Sequence, residues 1–297
     1  MGVAYKILDD GRDRERWLEA RRNTLGASEA ATVLGISKFS SPMKLYADKV
    51  LGSEHFDNPV MRFGRIFEEQ IAHDFAVMLK RDVKLDGRLV HSKVRPWQSC
   101  TLDGRQWRGD RVDAGLLEVK TSLFGWEAIH GKDSEGVPPE YYCQLQHQFA
   151  VTGLKWGSIV MFNRTSCDLV YQDVEPDPQY IALLTDAEHK FWHQNVLGGV
   201  PPAPDAHEET AKAIARIYPQ HVEGKTIKFE IDMLAKRDRL ALLKKRLKED
   251  DTERRGIENE FKSLLEDAER GNFPDGSGFT YKTNKNGARV FLMKEPK

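Results

Sequence analysis

Between Val83 and Val119 the chain runs in short alternating segments broken by Asp86-Gly87, Asp103-Gly104, Gly109-Asp110 and Gly115, the pattern of antiparallel hairpins. Helices bracket this stretch. Residues 64–80 repeat Ile66, Phe67, Ile71, Phe75, Met78 and Leu79 at helical spacing, and residues 138–152 return to helix between Pro138-Pro139 and Gly153. Upstream, Trp17, Leu18 and Arg21 mark one helical stretch. Ser28 is the expected N-cap of a second, short helix stopped by Gly35, and Pro42 opens a third over about 42–50. Downstream, 155–163 and 167–174 read as strands and 177–197 as an amphipathic helix. Helices, strands, then helix, strands and helix predict an α/β fold, a central mixed β-sheet with helices on its faces.

Gly198-Gly199-Val200-Pro201-Pro202-Ala203-Pro204 is the best linker in the chain and sets the expected boundary: residues 1–200 as one domain, 201–297 as a charged extension. In that extension Leu234, Leu240, Leu243 and Leu247, then Ile257, Phe261, Leu264 and Ala268, keep helical steps. Gly256 between the two sets leaves one long helix and a helical hairpin equally open. The end, Gly278–Met293, alternates like a strand pair around Asn286-Gly287, a favoured hairpin turn. The extension reads as a solvated appendage first, with subunit contacts or a DNA-facing arm as the alternatives.

The chemistry concentrates in Thr101-Leu102-Asp103-Gly104 and Leu116-Leu117-Glu118-Val119-Lys120. Side chains alternate along a strand, so Glu118 and Lys120 share one face while Leu117 and Val119 point into the core. The intervening segment has the length of a hairpin, which brings Asp103 beside Glu118. Adjacent carboxylates repel unless a cation lies between them, and Mg²⁺ suits a few carboxylates with water and phosphate oxygens. Lys120 on the same face can orient the attacking water, a set suited to phosphodiester hydrolysis. A third carboxylate comes from Gly64-Arg65-Ile66-Phe67-Glu68-Glu69. Glu68 is preferred because Phe67 and Ile71 turn it toward the sheet, but helix geometry leaves Glu69 open. The plain reading of each fragment is structural: Asp-Gly is usually a turn, and Glu-x-Lys on a strand is often a charge-paired surface.

Asp103 followed by Glu118-Val119-Lys120 resembles the PD-(D/E)XK nuclease signature, with Leu102 where proline is common; that proline shapes backbone and ligates nothing. More specifically, the chain resembles the YqaJ-like viral recombinases, the group that includes phage lambda exonuclease. The matching stretches are Arg21–Ala31, Phe63–Glu68, Cys100–Gly104, Gly115–Thr121 and Pro138–His147, spread over about residues 15–200. The resemblance implies a restriction-endonuclease-like core. It implies that Glu68, Asp103, Glu118 and the carbonyl of Val119 hold Mg²⁺, with Mn²⁺ as a substitute, and that Lys120 and Gln144 position the attacking water. Arg21 and Ser28 fall where family members bind the 5′-terminal phosphate. Met61 lies where an apolar wedge parts the terminal base pair, although a lone methionine is more often packing. The implied activity is 5′-to-3′ digestion of linear double-stranded DNA, leaving a 3′ single strand for a single-strand annealing protein. Family members form rings, so a homo-oligomeric ring, trimer or tetramer, is expected. Its rivals are a DNA endonuclease or nickase, and an inactive DNA-binding or assembly protein.

Composition narrows the field. Lys plus Arg total 45 against 46 Asp plus Glu, a formal net charge of −1, which excludes a DNA coater held by global charge but not a locally basic groove. The apolar runs are far shorter than the roughly 20 residues that cross a bilayer, so no membrane is expected. The first residues lack a secretory core. Cys100, Cys143 and Cys167 are too few and scattered for a disulfide framework or a cysteine-bound cluster. A cytoplasmic protein of a bacterial or phage-infected cell is the expectation. His189 and His193, one helical turn apart, read as structural beside Phe191 and Trp192. No nucleophile elbow and no phosphate-binding P-loop is present.

Overall fold

A computed structural model describes residues 4–52, 59–109, 112–123 and 136–295. Two compact units divide the chain, Met1–His221 and Val222–Lys297. In the first, strand β1 (Tyr5–Asp9) leads to helix α1 (Arg14–Arg22), whose N-terminus is capped by the Asp13 carboxylate accepting from the amides of Glu15 and Arg16. A two-residue strand β2 (Leu25–Gly26) and a 3₁₀ turn (Ala27–Glu29) precede helices α2 (Ala30–Val33), α3 (Pro42–Leu51) and α4 (Pro59–Leu79). Strands β3 (Asp82–Leu85), β4 (Leu89–Ser92), β5 (Gln98–Thr101), β6 (Gly104–Trp107) and β7 (Ala114–Ser122) follow. Then come α5 (Pro139–Thr152), β8 (Gly157–Asn163), β9 (Leu169–Val174), α6 (Pro178–Lys190) with a π-helical continuation over Phe191–Leu197, and α7 (Glu208–Ile217).

One sheet has the order β3-β6-β7-β8-β9 and the other β1-β4-β5-β2; β7 with β8 and β2 with β5 are the parallel pairs. The chain passes from the second sheet to the first at Leu102-Asp103, between β5 and β6. Strand β7 lies in the middle, covered on both faces, which is why its apolar residues run almost unbroken. Leu116 packs with Leu145 and Phe149 of α5 and with Ile159; Leu117 and Val119 pack with Ile71, Ala72 and Phe75 of α4. The expected mixed α/β layering is what the structure contains.

Three expectations change. Gly115 is not a break but part of β7: a Cβ there would stand 2.5 Å from the Trp156 ring, so the glycine lets that indole lie against the strand. On α4 only Ile71, Ala72 and Phe75 are buried; Ile66, Phe67 and Met78 are exposed, so the apolar stripe is wider than its buried face. The boundary expected at 200/201 falls at 221/222, because α7 belongs to the first unit. Its Ala213 packs with Met43 and Ala47 of α3, and Arg216 pairs with Asp48 at 2.6 Å.

The second unit holds one unbroken helix, α8 (Met233–Leu265), that runs through Gly256, and a three-stranded sheet of β10 (Arg270–Asn272), β11 (Gly278–Thr283) and β12 (Arg289–Lys294). The hairpin turns at Gly287, φ +81°, while the Asn284 side chain accepts from the amides of Asn286 and Ala288. Phe261 of α8 packs against Phe273 and Phe279. Among the described residues no helix is long and apolar enough to cross a membrane.

Candidate active site

Strand β7 delivers Glu118 and Lys120 to the face covered by α5. The Glu118 side chain is 2% exposed, and both of its oxygens are engaged: Oε1 accepts from Lys120 Nζ and from Gln144 Nε2, each at 2.5 Å, and Oε2 accepts from Gln148 Nε2 at 2.6 Å. Gln144 and Gln148 are four residues apart on α5 and therefore reach from one face of it. Antiparallel pairing of Gly104 with Leu117 sets Asp103 next to Glu118 just where β6 ends. With no β6 carbonyl left to meet it, the Val119 amide donates to Asp103 Oδ2 at 2.8 Å. The carbonyl of a strand residue leaves on the same side as its N–H, so that of Val119 faces the same open edge. Glu68 comes from α4, is half-buried and lines the cleft, whereas Glu69 is exposed.

These groups share one cleft of about 420 Å³, and all nine residues named from the sequence line it: Arg21, Ser28, Met61, Glu68, Asp103, Glu118, Val119, Lys120 and Gln144. Its electrostatics are those of crowded negative charge. Burial, and then the charges of Glu118 and Glu68, hold the Asp103 carboxyl well above the usual range, with Lys120 and the Val119 amide pulling the other way. Burial and Glu118 likewise raise Glu68 against the opposing pull of Lys120. Burial alone would lower the Lys120 pKa, but Glu118 and Asp103 outweigh it and keep the ammonium charged. A divalent cation fits this donor set: it would relieve the mutual repulsion of carboxylates that a single ammonium now shares. Among the described residues no group of three or more His, Cys, Asp or Glu side chains stands in ligating geometry, and both oxygens of Glu118 are turned to Lys120 and the two glutamines.

At the other end of the cleft, Arg21 Nη2 donates to Ser28 Oγ at 2.9 Å. Ser28 is not the helix N-cap expected from the sequence; it lies inside the 3₁₀ turn, its oxygen taken by Arg21, while Glu29 Oε2 accepts from the Gly26 amide. Lys49, buried beneath, holds this turn. Its Nζ donates to the carbonyls of Arg21 (2.9 Å) and Thr24 (2.6 Å) and pairs with Glu29 at 2.8 Å; burial lowers its pKa against the pull of Glu29. The Arg21 guanidinium lies 4.8 Å from the Trp17 ring centroid. A second cleft of about 410 Å³ shares Trp17, Arg21, Ser28 and Met61 with the first and adds Arg14, Arg22, Lys49 and Arg65 against Glu29 and Asp48, a lining with more basic than acidic side chains. Met61 is 53% exposed on the rim. Sequence reasoning missed Gln148, Lys49 and Trp17. The four-residue step from Gln144 marked the first. Lys49 had no local signal, and Trp17 was visible only as a helix residue four before Arg21.

Residues 16–155 match the YqaJ-like viral recombinase domain. The uncharacterized protein YqaJ of Bacillus subtilis (strain 168) is 26% identical over 267 residues, covering 87% of this chain and 80% of that protein. Among solved structures, an alkaline exonuclease (LHK-Exo) from Laribacter hongkongensis aligns with a TM-score of 0.50 at 22% identity, and LHK-Exo in complex with dAMP with 0.52 at 20%. Each comparison covers 68% of this chain and 99% of the other. At such identity the likeness is one of fold, the PD-(D/E)XK α/β architecture. Domain match, likeness to YqaJ and shared fold point the same way: residues 16–155 of this chain are similar to the YqaJ-like viral recombinase domain.

Proposed function

We propose that the protein is a Mg²⁺-dependent 5′-to-3′ exonuclease acting on linear double-stranded DNA and leaving 3′ single-stranded tails for recombination by strand annealing. The observation that carries this reading is the convergence of Glu68, Asp103, Glu118 and Lys120 in one cleft whose far wall is the Arg21–Ser28 pair. LHK-Exo, described as an alkaline exonuclease and solved with dAMP, lends support from the same fold.

In this reading Glu68, Asp103, Glu118 and the Val119 carbonyl hold Mg²⁺, for which Mn²⁺ substitutes. The bound cation supplies charge neutralisation for the scissile phosphate and lowers the pKa of the attacking water. Lys120 and Gln144, both at the Glu118 carboxylate, would orient the attacking water by donating hydrogen bonds to it. Arg21 with Ser28 binds the 5′-terminal phosphate, a guanidinium and hydroxyl suited to its oxygens. Met61, exposed on the rim, would press against the terminal base pair. The basic second cleft offers further phosphate contacts to the strand, a local charge that the near-neutral whole does not reveal. A single-strand annealing protein is the proposed partner, and a trimeric or tetrameric ring the proposed assembly.

Labelled linear and covalently closed circular duplexes, with Mg²⁺ or EDTA, test the reading. Mononucleotides are expected from the linear substrate alone, only with the metal, and faster from 5′-phosphate than from 5′-hydroxyl ends. Equal cutting of the circle would establish an endonuclease instead, and binding without release an inactive assembly protein.

A further inference from the structure

Helix α8 has 33 residues, about 50 Å at 1.5 Å per residue, and its packing is confined to its C-terminal end, where Phe261 meets the aromatic residues of its own sheet and Leu265 is buried. Elsewhere it leaves an apolar line in solvent: Leu240, Leu247, Ile257 and Leu264 are 54, 68, 48 and 79% exposed. In steps of three and four the line reads Leu240, Leu243, Leu247, Asp250, Arg254, Ile257, Phe261, Leu264, a seven-residue repeat with two charged positions at its middle. It is symmetric about Thr252. Counting outward from there, Asp250 answers to Arg254, Leu247 to Ile257, Leu243 to Phe261 and Leu240 to Leu264. Charge follows the same symmetry with opposite sign. Residues 236–248 carry seven Lys or Arg and one Asp, while 249–260 carry six Asp or Glu and two Arg.

We propose that α8 is a self-association element that pairs antiparallel with α8 of a second copy, the two-fold axis passing at Thr252. In that register Leu240 meets the partner's Leu264 and Leu247 the partner's Ile257, Leu243 meets the side of Phe261 left open by its own sheet, and Asp250 of each copy meets the partner's Arg254. The basic half of each helix lies along the acidic half of the other, with Arg246 beside the partner's Glu260 and Lys244 beside the partner's Glu258. Parallel pairing would set Asp250 on Asp250 and Arg254 on Arg254 inside the seam, which is strongly disfavoured. Antiparallel pairing does bring Asp251 and Glu253 close to their own counterparts at the axis; Arg254 and Arg255 lie within one turn and offset this. Such a contact is isologous and closes on two copies, so it pairs subunits separately from the contacts that would build the proposed ring. A DNA-binding role for the basic half would leave Ile257, Leu264 and the matching acidic half without purpose, so a second copy is the occupant the sequence of the helix favours. The inference does not rest on the nuclease reading.

Sedimentation of the full-length chain across a concentration series tests it, with mononucleotide release measured alongside to read the nuclease proposal separately. Asp250→Arg and Arg254→Asp, both at exposed positions, should each weaken self-association at least tenfold, and so should Leu247→Asp. An equimolar mixture of the Asp250→Arg and Arg254→Asp chains should restore it, as should both changes in one chain, since opposite charges then face each other again. Unchanged association in the single variants would overturn the proposal. So would weakening that neither the mixture nor the double variant repairs, or variants that lose DNA affinity while keeping their assembly mass.

Discussion

Glu118 is a buried carboxylate whose neutral isostere keeps its shape, which makes it the sharpest residue-scale probe of the cleft. Glu118→Gln should lower mononucleotide release at least ~100-fold while the far-ultraviolet circular dichroism stays that of the parent; Lys120→Ala should do the same by removing the group that orients water. Activity within a few-fold of the parent would contradict the roles proposed for both. Away from the cleft, Asp173 gives a pH signature. It is held by Arg81 at 2.8 and 2.7 Å, by Arg108 at 2.5 Å and by Ser158 at 2.5 Å. Burial alone would raise its pKa, but these hydrogen bonds and guanidinium charges outweigh that and bring it down from 3.8 to about 2. A folded pKa below the unfolded one means stabilisation that is complete above about pH 4 and disappears as pH falls toward 2. Urea midpoints of the parent and Asp173→Asn should therefore differ most at pH 5 and converge near pH 2. A constant difference across that range would show that the carboxylate's ionisation does not matter.

At the scale of elements, the close approach of Trp156 to β7 is the most exacting contact. Gly115→Ala should destabilise by about 1–3 kcal/mol through overpacking against the indole, seen as a lower urea midpoint with an unchanged slope. The turn of residues 21–28 is the second test. Arg21→Ala should cut the preference for 5′-phosphate over 5′-hydroxyl ends by about tenfold, the worth of one charge-assisted hydrogen bond, and leave the 5′-hydroxyl rate nearly unchanged. An unaltered preference would remove the phosphate pocket from this position. These elements also show what sequence could and could not convey. Periodicity located α4, the flanking prolines and Gly153 bounded α5, and alternation over Leu116–Lys120 showed the shared face of Glu118 and Lys120. The hairpin spacing gave Asp103 its neighbour. Gly115 was misread because the glycine signal is the same whether it marks a turn or admits a ring from a distant strand. The β2 strand was too short to show any alternation. Lys49 escaped because its partners, the carbonyls of Arg21 and Thr24, lie 25 or more positions away and are backbone atoms, which leave no side-chain pattern.

For the whole molecule, every residue of the cleft lies in the unit Met1–His221, and α7 closes that unit. A chain ending at His221 should retain cleavage of linear duplex, whereas one ending at Val200 should melt several degrees lower. That shorter chain loses the packing of Ala213 on Met43 and Ala47 and the Arg216–Asp48 pair. Equal melting of the two would place the structural boundary at the Gly198–Pro204 run after all. The account turns on a cation shared by carboxylates that three separate elements supply, and crystals soaked in Mn²⁺ put that to the most direct test. It predicts an anomalous difference peak in the cleft within about 2.0–2.6 Å of Asp103 and Glu118 oxygens, the range for divalent cations on carboxylates, with Lys120 and Gln144 turned away from Glu118. A cleft without a peak at saturating Mn²⁺, its Glu118 still bonded to Lys120 and both glutamines, would contradict it.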